Sequence, residues 1–130
     1  MELVTSLPRD ELAVWGQGQI RRLTAEQLRD SQRKSDLAKI AKALEEYFLI
    51  YKKYPVVSKL EKISKTNGTL VVALYPKYIS EVPIDPLDPK YYYGYESDGT
   101  KYTLSAVLED KTDTSGQIVG STFLYFLTSQ

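Results

Sequence analysis

The feature that most restricts the fold is a capped apolar stripe that starts at Thr24 and runs to Pro55. Thr24-Ala25-Glu26-Gln27 has capping-box spacing, in which the threonine hydroxyl accepts from the Gln27 backbone N–H and the Gln27 side chain reaches back. Leu23 and Leu28 flank it at hydrophobic-staple positions. Leu37, Ile40, Ala41, Leu44, Tyr47, Phe48 and Tyr51 then recur at steps of three and four, which places them on one helix face. Asp36, Lys39, Lys42, Glu45 and Glu46 fall largely off that face. Lys52 and Lys53 sit where cations suit the helix dipole, and Pro55 stops the helix. A helix over 24–53 is about 45 Å long at ~1.5 Å per residue, which is long for a chain of 130 residues. Tyr47 and Phe48 lie mid-stripe and are expected to be largely buried. Residues 28–35 carry almost nothing apolar, so that half of the helix is expected to project from the globule.

Downstream the pattern changes. Residues 55–65 read as a connecting loop with a possible helical turn near Leu60 and Ile63, and Thr66-Asn67-Gly68 is a turn signal. Residues 70–74 fit a short helix ended near Pro76. Pro83, Pro86 and Pro89 exclude regular structure across 82–90. Two alternating strands follow, with Tyr91, Tyr93 and Tyr95 on one face of the first. Tyr102, Leu104, Ala106 and Leu108 share a face of the second, and Asp98-Gly99 makes the turn between them. After a polar loop at 109–116, the apolar run 118–127 fits a third strand. The expected fold is therefore α+β, with one long N-terminal helix packed on a small antiparallel sheet of about three strands.

Composition removes several function classes. With neither His nor Cys, imidazole and thiol catalysis, the usual zinc ligands and disulfides are all unavailable. Seventeen basic and seventeen acidic residues give zero net charge, without the basic excess of a general nucleic-acid binder. No stretch approaches the ~18–20 consecutive apolar residues of a bilayer span. Glu2, Arg9, Asp10 and Glu11 make residues 1–12 unlike a secretory signal. No paired carboxylates sit in a recognisable motif, so an enzyme is not expected.

Three ordered pieces carry a family resemblance. Arg33-Lys34-Ser35-Asp36-Leu37 running into Ala43-Leu44-Glu45-Glu46-Tyr47 and Tyr54-Pro55 resembles the helix end of pseudopilins related to the major subunit of type II secretion. Tyr78-Ile79-Ser80-Glu81-Val82-Pro83-Ile84-Asp85-Pro86 resembles that family's Tyr-Ile/Leu-x-x-x-Pro-x-Asp-Pro segment. Tyr91-Tyr92-Tyr93-Gly94-Tyr95 and Tyr102-Thr103-Leu104-Ser105-Ala106 resemble its hairpin. The resemblance implies a type IV pilin-like head at 28–130, with helix 28–54, a loop region 55–90 and a sheet at 91–127. It implies a structural filament subunit whose N-terminal helices bundle in the fibre core while the heads pack outside. The implied partners are other pilin or pseudopilin subunits and an inner-membrane assembly platform. The implied location is the cell envelope or surface, with the full-length protein anchored in the cytoplasmic membrane before assembly. The alternative is a minor or tip pilin that binds glycan, surface or DNA. The family's Gly-Phe-Thr-Leu-x-Glu-like start does not occur here. Residues 1–27, with Trp15-Gly16-Gln17-Gly18, are read as an engineered replacement of the membrane half or an atypical native N-terminus.

Candidate site residues follow. Subunits of this family carry an Asp-rich calcium loop late in the chain, where this sequence offers Glu109, Asp110 and Asp113. These three could ligate calcium through carboxylate and loop oxygens, although solvated charge is the commoner state of such residues, and no cofactor is otherwise expected. Asp85 is either a subunit contact or ion ligand, or else caps backbone N–H groups in an Asx-turn, the commoner arrangement. Arg33, Lys34, Tyr91 and Tyr93 are the candidate intersubunit residues. The tyrosine-rich hairpin suits core and interface better than a stacking platform for glycan or single strands.

Overall fold

The computed structural model describes residues 12–14 and 20–129. In order the elements are β1 (Leu12–Val14), β2 (Ile20–Arg22), α1 (Ala25–Tyr51), β3 (Val57–Lys62), α2 (Thr69–Leu74), β4 (Gly94–Ser97), β5 (Tyr102–Val107), β6 (Gln117–Val119) and β7 (Thr122–Thr128). The last five strands form one antiparallel sheet in the order β3-β4-β5-β7-β6, and β1 and β2 pair separately. The architecture is the expected α+β helix-on-sheet, with five strands in the main sheet rather than three. The other residues of 1–19 lie outside the described part, so the reading of Trp15-Gly16-Gln17-Gly18 does too. Within 1–27 the described residues add the β1–β2 pair and the first turn of α1.

The capping box forms as the spacing requires. Thr24 Oγ1 accepts from the Gln27 N–H at 3.0 Å, and Gln27 Oε1 accepts from the Thr24 N–H at 3.0 Å. At the other end Lys52 adopts the left-handed conformation with φ 60° and donates its N–H to the Phe48 carbonyl. The helix thus ends before Lys52 and Lys53, a few residues short of Pro55. Leu37, Ile40, Ala43 and Leu44 are its fully buried apolar residues, each large one contributing about 1.5–3 kcal/mol on burial. They pack on Tyr93, Tyr95, Tyr102, Leu104 and Ala106 of the sheet region and on Leu70 and Leu74 of α2. Tyr47 and Phe48 are half-buried at the edge of this core rather than at its centre, because the chain turns away at Lys52 one turn beyond them.

Three local expectations are corrected. Residues 57–62, read as loop, form β3, which pairs with β4 at Val57↔Ser97, Glu61↔Tyr95 and Lys62↔Gly94 across a register irregularity. As an edge strand exposed over most of its length, it shows no apolar alternation to read. The run 118–127 is two strands, not one, because Gly120 at φ 65° and Ser121 turn the chain into a hairpin. Tyr91 precedes the first hairpin strand, which begins at Gly94. Between β4 and β5 the Asp98-Gly99 turn forms as expected. Asp98 Oδ1 accepts from the N–H groups of Thr100 and Lys101, and Gly99 takes φ 98°.

The fourth correction bears on function. Residues 28–35 do not project. Asp30, Arg33 and Asp36 are buried against the rest of the head, held by charge instead of apolar contact.

Candidate functional site

The stretch of α1 that lacks apolar residues carries its acceptors and donors at helical spacing. Asp30, Arg33 and Asp36 recur at steps of three and therefore share one face. Opposite them stand Asp85 from the proline-bounded loop, Glu109 after β5, and Tyr93 before β4. Arg33 has no exposed side-chain surface. Its Nε donates to Asp85 Oδ2 at 2.8 Å and its Nη2 to Asp85 Oδ1 at 3.1 Å, the two-pronged geometry that suits guanidinium and carboxylate. Nη1 donates to Asp30 Oδ1 at 2.8 Å and lies 3.5 Å from Glu109 Oε2. The Tyr91 ring stacks 5.4 Å from the guanidinium carbon.

Each carboxylate in the cluster does a second task. Asp30 accepts from the backbone N–H groups of Glu109 and Asp110 at 2.9 Å each, tying the chain after β5 to the helix. Asp85 Oδ1 accepts from the Leu87 N–H at 2.8 Å, which is the Asx-turn expected of it; its ion partner is Arg33 of the same chain. Asp36 accepts from the Tyr93 hydroxyl at 2.6 Å and from Gln32 at 2.7 Å. Burial, and after it the Asp36 hydrogen bond, pushes the Tyr93 hydroxyl well above its ordinary pKa. Burial opposes the Arg33 charge, yet the hydrogen bonds of Asp85 and Asp30 and the charges of Asp85 and Glu109 outweigh it and raise its pKa.

The late loop carries the three residues proposed as calcium ligands, and each faces its own partner. Glu109 receives Arg29 Nε at 3.0 and 2.8 Å. Burial works against its ionisation, but Arg29 and Arg33 hold its pKa below the ordinary value. Asp110 accepts from Gln27 Nε2 and from Thr112, the Thr112 hydroxyl bond first among the causes of its lowered pKa. Asp113 pairs with Lys34 Nζ at 2.6 Å and accepts from Ser115. Against the opposing effect of burial, these contacts lower its pKa to about 2. Among the described residues no group of three metal-binding side chains converges. The three carboxylates are engaged by Arg29, Lys34, Gln27 and the Thr112 and Ser115 hydroxyls. Thermal unfolding is expected to coincide with and without a calcium chelator, and a rise in Tm of several degrees on adding calcium would contradict this.

Of the four candidate intersubunit residues, Arg33 and Tyr93 are fully buried within one copy. Lys34 and Tyr91 remain partly exposed but are engaged, Lys34 by Asp113 and Tyr91 under Arg33 and Lys90. The hairpin tyrosines Tyr93, Tyr95 and Tyr102 belong to the core. The cluster was missed as a unit, although its i, i+3 Asp-Arg pair and the Asp85 carboxylate were all visible.

A long capped helix laid on an antiparallel sheet, with the proline-bounded loop clamped between them, is the architecture of a type IV pilin-like head. The family model for type II secretion system (T2SS) protein G matches residues 23–119. The chain belongs to that family and is a pseudopilin-like protein; the family is one of structural cell-envelope subunits for protein transport rather than of enzymes. Comparison with curated proteins and with solved structures gives no match. Among the described residues no helix is long and apolar enough to cross a membrane.

Proposed function

We propose that this head is a structural subunit that works by assembling with other pseudopilins into a helical fibre, either a secretion pseudopilus or a related type IV filament. The observation that carries the reading is the family match across helix, proline loop and hairpin. The buried Arg33 cluster supports it, since it makes helix and head a single body from the first turns of α1 onward. In this reading the full-length protein is anchored in the cytoplasmic membrane before assembly, the head lies outside the cytoplasm, and the assembly platform is a further partner. A tip subunit that displays a tyrosine face to glycan or DNA has less support, because Tyr93, Tyr95 and Tyr102 point into the core.

The test places the head behind the hydrophobic N-terminal helix of a protein G subunit, in cells that carry the secretion machinery. Fibres sheared from those cells should contain the head. A hybrid that is stable in the membrane yet never enters a fibre would overturn the proposal.

A further inference from the structure

The chain holds a single asparagine, Asn67, and a glycine follows it. In such a pair the backbone nitrogen of the second residue can attack the side-chain carbonyl carbon of the first. A Cβ on the second residue would crowd that approach, and glycine has none. Asn67 is exposed in the loop between β3 and α2. Its own N–H donates to Ser64 Oγ at 3.3 Å, an acceptor shared with the Thr66 N–H. On the other side the Thr69 N–H donates to Glu61 Oε1 at 3.2 Å. Between these anchors, among the described residues, neither the Asn67 amide side chain nor the Gly68 N–H takes a hydrogen bond. A side chain at Gly68 would meet nothing nearer than the Glu61 carboxylate, at 3.8 Å, so the loop has room to rearrange.

The chain contains the corresponding acidic pair once, at Asp98-Gly99, and there the fold closes the same route. The Gly99 N–H donates to the buried Ser97 Oγ at 2.9 Å. Asp98 Oδ1 accepts from the Thr100 N–H and hydroxyl, both at 2.8 Å, and from the Lys101 N–H at 3.0 Å. Attack at this turn first has to break those bonds. One glycine-following site is therefore locked by its own turn, and the other is open.

We propose that Asn67 is a site of spontaneous covalent modification that loosens α2. The Gly68 nitrogen bonds to Asn67 Cγ, and the Cγ–Nδ2 bond breaks. The Gly68 amide proton goes to Nδ2, which leaves as ammonia, and a five-membered succinimide remains. Water then adds to one of its two carbonyl carbons and opens the ring. One opening leaves aspartate at position 67. The other leaves isoaspartate, whose main chain runs through Cβ and Cγ. Either product carries a new carboxylate beside Gly68, where Glu61 already stands, and the two like charges repel. The isoaspartyl form also lengthens the backbone by one atom directly ahead of α2. Leu70 and Leu74 of that helix belong to the core against α1, so its docking weakens as the chain ages, with no enzyme or oxidant required.

The test gives both sites the same chemistry with an Asp98→Asn variant of the full chain. The folded variant is held in warm, mildly alkaline buffer for weeks, digested and read by mass spectrometry. Conversion adds about one dalton to the peptide concerned, and a protein-isoaspartate methyltransferase labels the isoaspartyl fraction. Position 67 should convert roughly tenfold faster than position 98, the difference that one or two hydrogen bonds on the reacting groups make to a barrier. In guanidinium chloride, where both turns are lost, the two rates should converge. Equal rates in the folded variant would overturn the proposal, as would an unconverted Asn67 in the folded chain while the unfolded one reacts. Amide hydrogen exchange across residues 69–74 should quicken in the converted chain and stay slow in an Asn67→Gln chain aged beside it. Unchanged exchange after conversion would overturn the coupling to α2.

Discussion

Replacing Arg33 with Met should lower the stability of the head by about 3–5 kcal/mol, the cost of leaving buried carboxylates without their cation. Asp30 and Asp85 are themselves nearly inaccessible, so water cannot take the place of the guanidinium. The midpoint of urea unfolding reads this directly. A loss below about 1 kcal/mol would mean that the cluster is solvated and contributes no more than surface pairs do. Acid adds a second signature. Glu109 and Asp113 have lowered pKa values in the folded state, so they add stability above the ordinary carboxylate range. That stability is lost as the pH falls from about 4 toward 2. In the Arg33→Met variant Glu109 loses one of the two arginines that hold its pKa down, so less of this acid-labile stability remains to be lost and the deficit relative to the natural chain should narrow over the same fall in pH.

Leu44→Ala should cost about 2–5 kcal/mol, as expected for a fully buried leucine that leaves a cavity. Phe48→Ala should cost less despite removing a larger side chain, because Phe48 is half-buried and rests on the Tyr54 ring, 4.7 Å between centroids. Leu49→Ala, at an exposed position, should stay within about 0.5 kcal/mol. Urea unfolding of the three variants ranks them. If Phe48→Ala proves as costly as Leu44→Ala, the core extends one helical turn further than the structure places it.

What could be read from the sequence was what depends on local pattern. The Thr24–Gln27 box, the stripe from Leu37 to Leu44, the short helix at Thr69–Leu74 and the Asp98-Gly99 turn each need only neighbours in the chain, and each is present. β3 escaped because an edge strand has one pairing neighbour and an exposed surface, so nothing forces its polar residues to alternate. The β6–β7 hairpin escaped because the apolar side chains on both sides of Gly120 hide a turn that one glycine makes possible. Docking of the first turns of α1 escaped for a different reason. Polar residues at 28–35 suggest solvent when each is taken alone, and their partners Asp85 and Glu109 lie 52 and about 80 positions away. Buried charge is legible only when both partners are known.

The Arg33 fork also bears on how the head responds to force. A pull on the N-terminal end of α1 runs along the helix axis, whereas the bonds from Arg33 to Asp85 and from Asp30 to the chain after β5 reach sideways from that axis. Such a pull loads them in shear, so they share the tension and must break together. The capping box and the Gln27–Asp110 bond keep the first turn wound while they do. The same bonds peeled sideways would yield one at a time. By this geometry a pull along the helix meets more of these bonds at once than one that lifts the helix away from the sheet.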